Sequence, residues 1–524
     1  MDILLINPNR EHVPWPAMPL GLCMVASALR RAGHDVSLLD LAFSTDPYRE
    51  TTAALRRGTP SVVGVTIRNI DNCNFERPVF YLTEIRDGVL RAIRENAAAA
   101  PIVIGGSGVS VAPWEVLNYL RADYALVGEG EEALPAFLAA LGRGDASAGD
   151  YGVLTRQGPS ASVDTAVALN EVRTLEHEPR GGRSRLANLD SGAQSEAWRW
   201  LDLRRYATHG APYSVQTKRG CALRCVYCVY NNIEGRRYRL RAPAAVADEI
   251  EYVVRAHGIK RVDFVDSTFN LPLAHALGVC EELAVRALPV RLSTMGINPA
   301  ATSTALLNLM RRAGFDSVMC SAESASDVTL GSLQKGYRKE AVIHAAEQLR
   351  RAGLKVFWFF IFGAPGETLD TVGETLAFCE RYVQATDVAL FTTGIRVYPG
   401  TPLEQQLKRS GWFDANDPLL WPSWYVSPTI DLQQLYGLLV RAAARHPNWM
   451  TNAETIVHPT LALAIKRGFE LVGWRGPFWT HLPKLFTLAT HLGTRQRNLE
   501  ANVARMRAIR NVPHRSGPVG GGVA

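Results

Sequence analysis

Twice along this chain, short apolar runs alternate with segments of helical length, and a stretch rich in glycine, arginine, serine and alanine separates the two series. In the first series the runs fall at 3–6, 36–39, 62–67, 102–104 and 124–127, with helical patterns at 21–32, 81–95, 114–120 and 132–141. Strands joined through helices of this length demand right-handed crossovers and a parallel sheet covered on both faces. The spacing therefore predicts an α/β fold that begins with a doubly wound, Rossmann-like domain over residues 1–145. Ligands of such sheets gather at the carboxyl ends of the strands. There the chain carries Asn7-Pro8, then Thr66, Arg68 and Asn69, then Gly105-Gly106-Ser107-Gly108, and finally Gly128-Glu129-Gly130. Gly105 and Gly106 would let a bulky group approach the backbone, although a tight turn into the next helix explains the pair taken alone.

The second series has runs at 213–218, 261–266, 290–295, 317–322, 356–362 and 388–397, with helical patterns at 244–256, 274–287, 303–313, 339–352 and 368–383. Six strands with five intervening helices fit a partial (β/α)6 barrel over 206–410, whose site belongs at the strand carboxyl ends. Residues 146–205, with Arg180-Gly181-Gly182-Arg183-Ser184-Arg185 at their centre, read as a linker. Residues 411–524 read as mainly helical and rich in aromatics, including Trp412, Trp421, Trp424 and Tyr425. They serve either as core or as a substrate lid, and a basic, Trp-rich segment also suits a membrane surface. A Gly-rich tail follows from Pro513.

The chemistry is concentrated just after the first strand of the second series. Cys221, Cys225 and Cys228 stand at C-x3-C-x2-C spacing. Three thiolates so close hold three irons of a [4Fe-4S] cubane and leave the fourth iron open. A structural zinc site wants four nitrogen or sulfur ligands, and no further cysteine follows within thirty residues.

The trio, with Tyr227 directly before its last cysteine, resembles the signature of the radical S-adenosylmethionine (SAM) superfamily. Its flanks, Thr217-Lys218-Arg219-Gly220, Tyr230, Glu234-Gly235 and 239–243, resemble the subgroup that also binds cobalamin. The amino-terminal segments 19–22, 31–34, Gly105-Gly106 and 127–131 are similar to that subgroup's cobalamin-binding domain. The resemblance implies a [4Fe-4S] cluster, S-adenosyl-L-methionine and cobalamin as cofactors, and Cys221, Cys225 and Cys228 as cluster ligands and catalytic centre. It implies SAM contacts at Tyr227, Asp266, Glu323, Ser324 and Arg396, and cobalamin contacts at Thr66, Arg68, Gly105, Gly106, Gly128 and Glu129. Asp266 would alternatively cap the next helix, and Glu323 would alternatively pair with Lys335 or Arg338. Arg396 and Tyr398 share a strand face and point either at a substrate or into ordinary packing. The loop from Asn7 to His12 lacks the D-x-H-x-x-G pattern that supplies a histidine to cobalt. Cobalamin without a histidine ligand is therefore expected, with Arg68 a candidate to sit beneath the corrin unless it is a strand-end salt bridge.

The implied activity is methyl transfer from SAM through methylcobalamin to an unactivated carbon or phosphorus, in a secondary-metabolite or lipid pathway. Oxidative ring closure without methylation and nonradical transfer to an sp2 carbon are the alternatives, and a cofactor-responsive sensor is a third. The expected partners are a small-molecule or lipid-like substrate and an electron donor such as flavodoxin or ferredoxin.

Composition narrows the remaining classes. At 524 residues and 47% hydrophobic content the chain fills several cores. A net charge of +7, without a Lys/Arg stripe interleaved with aromatics, argues against nucleic-acid binding. No G-x-G-x-x-G follows the first strand, which argues against a dinucleotide oxidoreductase. The five other cysteines sit in apolar segments as free thiols, which suits a reducing compartment. The first residues form a strand pattern rather than a signal peptide, and no apolar run reaches the ~18 residues of a membrane span. A cytoplasmic location is expected.

Overall fold

The computed structural model describes residues 1–12, 15–144, 151–156, 183–186, 188–192 and 196–451, with positions 468, 471 and 478–481. The expected helical patterns at 460–472 and the tail from Pro513 lie outside the described residues, apart from positions 468 and 471.

The first sheet contains β1 (Asp2–Asn7), β2 (Asp35–Asp40), β3 (Val62–Thr66), β4 (Ile102–Gly105), β5 (Tyr124–Leu126) and β6 (Val153–Thr155), in the order β2-β1-β3-β4-β5-β6. β1 to β5 are parallel, and β6 closes the edge antiparallel to β5. Successive side chains alternate between the two faces of a strand, so Ile3, Leu5, Val62, Val103 and Leu126 share one core with the helices Leu20–Arg31 and Gly130–Gly142. Leu4, Ile6, Val63, Val65, Ile102 and Ile104 pack into a second core on the opposite face. Each such burial contributes roughly 1.5–3 kcal/mol. Order reverses beside β1, which opens a crevice at the carboxyl ends of β1 and β3. β6 comes from the stretch read as linker. Its three residues are too few to show periodicity.

The second body is an open barrel. β7 (Tyr213–Val215), β10 (Arg261–Phe264) and β11 (Arg291–Thr294) form one parallel group. β12 (Ser317–Glu323), β13 (Lys355–Phe362), β14 (Val388–Thr393) and β17 (Trp449–Thr451) form another. Parallel bridges Leu292↔Phe315 and Ile297↔Cys320 join the two groups. The six anticipated strands are present, and β17 from the carboxyl-terminal region adds a seventh. The last anticipated run is split at Gly394 (φ +74°) into β14 and β15 (Ile395–Arg396), which pairs antiparallel with β16 (Trp424–Tyr425). The short hairpin partners β8 (Lys218–Arg219) and β9 (Arg239–Leu240) bracket the cysteine loop.

Local signals set the helix ends. Ser303 accepts a hydrogen bond from the Leu306 N–H at the start of Thr304–Ala313, and Gly314 ends that helix in a left-handed conformation. Thr368 and Thr371 form a reciprocal cap at Leu369–Tyr382. Among the described residues no helix is long and apolar enough to cross a membrane.

Candidate active site

A cavity of about 730 Å³ lies between the carboxyl edge of the first sheet and the mouth of the barrel. This is within the range of small-molecule and cofactor sites. From the first sheet it is lined by Asn7, Thr66, Arg68, Gly105, Gly106, Gly128 and Glu129, and from the barrel by Gln216, Arg219, Tyr230, Asp266 and Met295. All six residues expected to meet cobalamin thus converge on one surface.

Two glycines shape its floor. Gly106 has φ +101° and ψ 177°, a conformation almost confined to glycine, and a Cβ there would lie 2.7 Å from the Ile67 carbonyl oxygen. A Cβ on Gly128 would lie 2.4 Å from the Ser184 carbonyl oxygen. Both turns can therefore be built only with glycine, and the cavity they border has room for a broad ring such as a corrin. Arg68 is exposed toward this space, and no ion pair to it forms among the described residues. Its alternative role as a strand-end salt bridge is therefore not seen. His12 does not line the cavity. It contacts the Ala42 carbonyl at 2.6 Å and packs edge-on against Phe43 and His209.

Glu129 lines the cavity, but its carboxylate faces the barrel. Arg239 binds it at 2.5 Å and Arg219 at 3.0 Å, and it accepts the Leu186 N–H at 2.7 Å. Burial opposes its ionisation, but these donors outweigh burial and hold its carboxyl below the usual range. Arg219 also binds Glu131 at 2.5 Å, with both side chains buried. The residue beside the cluster loop is thereby tied to the turn after β5.

Cys221 and Cys225 are buried and Cys228 is half-buried. Burial, together with the nearby Cys225 and Cys221, pushes the Cys228 thiol up to about 12. Burial raises Cys225 as well. Neighbouring, desolvated thiols favour a metal that takes the place of their protons. Among the described residues no three His, Cys, Asp or Glu side chains are gathered as a single-ion site. The donor set suits a cubane with one corner open.

Of the residues assigned to SAM, Tyr227 and Glu323 meet, while the polar groups of Asp266, Ser324 and Arg396 are engaged elsewhere. Asp266, fully buried, accepts from the Thr217 N–H (2.7 Å), the Thr217 hydroxyl (2.6 Å) and the Lys218 ammonium (3.0 Å). It anchors β8 to the end of β10 and caps no helix, since the following helix starts at Leu273. Ser324 turns away into a buried network with Thr375 and the Ser326 N–H. Arg396 is the clearest correction. Its guanidinium pairs with buried Asp71 at 2.8 Å and donates to the carbonyls of Val397, Leu419 (3.0 Å) and Leu420 (3.2 Å). Arg396 therefore clamps the barrel to the loop after β3, and Tyr398 alone of that pair reaches the cavity. Glu323 takes its alternative role, paired with Lys335 at 2.8 Å while accepting the Tyr227 hydroxyl at 2.9 Å. A register shift between Ser321 and Glu323, and φ +58° at Glu323, aim this carboxylate back toward the cysteine loop.

Sequence reasoning did not single out Asp71 and Glu131 as site residues, and named Lys335 only as a partner of Glu323. The partners of Asp71 and Glu131, Arg396 and Arg219, are remote in sequence, and a lone charge carries no spacing signal.

Two family models match in tandem: the B12 binding domain over residues 10–138 and the radical SAM superfamily over 215–379. The chain is 28% identical over 458 residues to the tryptophan 2-C-methyltransferase of Streptomyces laurentii, covering 77% of this chain and 74% of that protein. It is 26% identical over 362 residues to the anaerobic magnesium-protoporphyrin IX monomethyl ester cyclase of Synechocystis, covering 67% and 66%. Its fold matches that of the radical SAM methyltransferase TsrM from Kitasatospora setae, solved with cobalamin and a [4Fe-4S] cluster bound. The TM-score is 0.76 at 24% identity, covering 96% of this chain and 99% of that one. A glycine-floored sheet edge facing a three-cysteine barrel loop, with both family models in that order, makes this chain a member of the cobalamin-binding radical SAM enzymes.

Proposed function

We propose that the protein is a cobalamin-dependent radical SAM methyltransferase acting on a small-molecule or lipid-like acceptor in a biosynthetic pathway. The observation that carries this reading is the shared cavity, which opens the cobalamin-binding edge directly onto the barrel mouth. When bound, the cluster supplies SAM activation and the corrin supplies methyl carriage; the protein's part is placement.

Cys221, Cys225 and Cys228 would hold the cluster, and the hydrogen bond from Tyr227 to Glu323 fixes the side chain between Cys225 and Cys228. Thr66, Gly105, Gly106 and Gly128 on the cavity wall would hold the corrin, and Glu129 fixes the turn on which Gly128 sits. Arg68, exposed on the same wall, would supply the cation that disfavours a ligand to the cobalt. Asp266 supports the site indirectly by holding Thr217 and Lys218 before the cysteine loop.

Incubation of the anaerobically reconstituted enzyme with methyl-labelled SAM and candidate acceptors tests the proposal by mass spectrometry. Label in the product supports methyl transfer. A product changed in oxidation level but unlabelled supports the ring-closing alternative, which the cyclase relative motivates. Counting 5′-deoxyadenosine against methylated product separates radical from nonradical transfer.

A further inference from the structure

The cysteine loop has two sides. Val229 and Tyr230 line the cavity between the domains, whereas Cys221, Cys225 and Cys228 do not. On the loop itself Ala222 and Arg224 reach solvent while Cys221 and Cys225 lie buried beside them. A second segment is locked to this outer side by its backbone. The Cys221 N–H donates to the Gly235 carbonyl at 3.0 Å, and a Cβ on Gly220 would lie 2.1 Å from the Arg237 carbonyl oxygen. That segment presents Arg236 and Arg237 to solvent. Among the described residues none of the side chains of Arg224, Arg236 and Arg237 has an ion pair or hydrogen bond, and none lines the cavity. Arg224 directly precedes Cys225, and Arg236 and Arg237 sit on the segment packed against Gly220 and Cys221, so three unneutralised guanidinium groups lie on the chain beside the thiolates that would hold the cluster.

We infer that this arginine face is the docking surface for a small, acidic, low-potential electron-carrier protein that reduces the cluster. The inference rests on the cluster reading above. Reduction moves one electron from the carrier to the cluster, oxidising the carrier by one unit, and no bond or proton is exchanged. The cavity side belongs to the corrin and substrates, so a macromolecular donor must approach from outside. Opposite charge at such a surface raises the encounter rate and makes it sensitive to salt.

The test uses SAM-free, cluster-loaded, full-length protein and photoreduced [2Fe-2S] ferredoxin, with the bleaching of the enzyme's cluster followed by stopped flow. The triple variant R224E/R236E/R237E is expected to be reduced about tenfold or more slowly than wild type at low ionic strength, with its salt dependence lost or inverted. Titanium(III) citrate should reduce both proteins at the same rate. Equal rates with ferredoxin would overturn the inference, and so would equal slowing with titanium citrate, since the substitutions would then act on the cluster itself. Should R224E disturb cluster assembly, R236E/R237E alone is expected to keep the iron content of wild type and to slow ferredoxin several-fold. Failure of wild-type protein to assemble any cluster would instead refute the cofactor reading.

Discussion

Gly105 and Gly106 look equivalent in the sequence, yet the structure assigns them opposite tolerances. Gly106 sits at φ +101° and ψ 177°, a region that costs a non-glycine residue ~1–3 kcal/mol. Its added Cβ would also meet the Ile67 carbonyl oxygen at 2.7 Å and the Thr66 hydroxyl at 2.9 Å, and overpacking of this kind costs ~1–3 kcal/mol more. Free Gly106→Ala protein relieves the strain by moving the turn off β3. Binding cobalamin must restore the native turn beside Thr66, so the strain reappears as lost affinity. Even ~2 kcal/mol corresponds to about a thirtyfold weaker Kd. A Cβ on Gly105 would meet nothing closer than Leu126 at 3.8 Å, so Gly105→Ala should bind within about twofold of wild type. Anaerobic titration with hydroxocobalamin, followed by the shift of its visible bands, measures both. Wild-type affinity in Gly106→Ala, or equal losses in the two variants, would refute the floor geometry.

Replacing any one of Cys221, Cys225 and Cys228 by alanine is expected to abolish SAM cleavage while leaving cobalamin affinity unchanged, as read by 5′-deoxyadenosine release and cobalamin titration. Arg396→Met strands the buried Asp71 carboxylate and should destabilise the protein by ~3–5 kcal/mol, seen as a lower denaturant midpoint for the unfolding phase that separates the two domains; an unchanged midpoint would refute the clamp. Burial raises the Asp263 carboxyl to about 7, opposed by the Ser293 hydroxyl hydrogen bond. A carboxyl raised on folding stabilises the native state at low pH and withdraws that stability as pH climbs toward its folded value. Stability should therefore fall by on the order of a few kcal/mol between about pH 4 and 7, and Asp263→Asn should flatten that slope in denaturation curves.

Much of the architecture was legible because it rests on local pattern. Alternating apolar runs fixed both parallel sheets, and cysteine spacing marked the cluster loop on the correct barrel face. The misreadings share a cause: each concerns a polar side chain whose partner lies far away in sequence. Arg396 and Tyr398 are two residues apart in sequence, but only a fold that brings Asp71 within 2.8 Å of Arg396 decides that the arginine is structural. Asp266 at a strand end suits a ligand contact equally well until Thr217 and Lys218 fill both of its oxygens. The seventh barrel strand, Trp449–Thr451, is three residues long and pairs with β14, so no period was there to read. Arg183–Leu186 lies in a stretch without apolar pattern, yet it bridges the two bodies: Ser184 hydrogen-bonds the turn at Val127 and Glu129, and Arg185 donates to the Asn232 carbonyl.

The central claim is that one chain holds a cluster on three thiolates and a corrin on a separate glycine floor. Iron, sulfide and cobalamin content of anaerobically reconstituted wild type, compared with C221A/C225A/C228A, tests it most directly. Wild type should hold about four irons and four sulfides with bound cobalamin, and the triple variant should lose the iron and sulfide while keeping the cobalamin. Iron retained without the thiols, or wild type that binds no cobalamin, would contradict it.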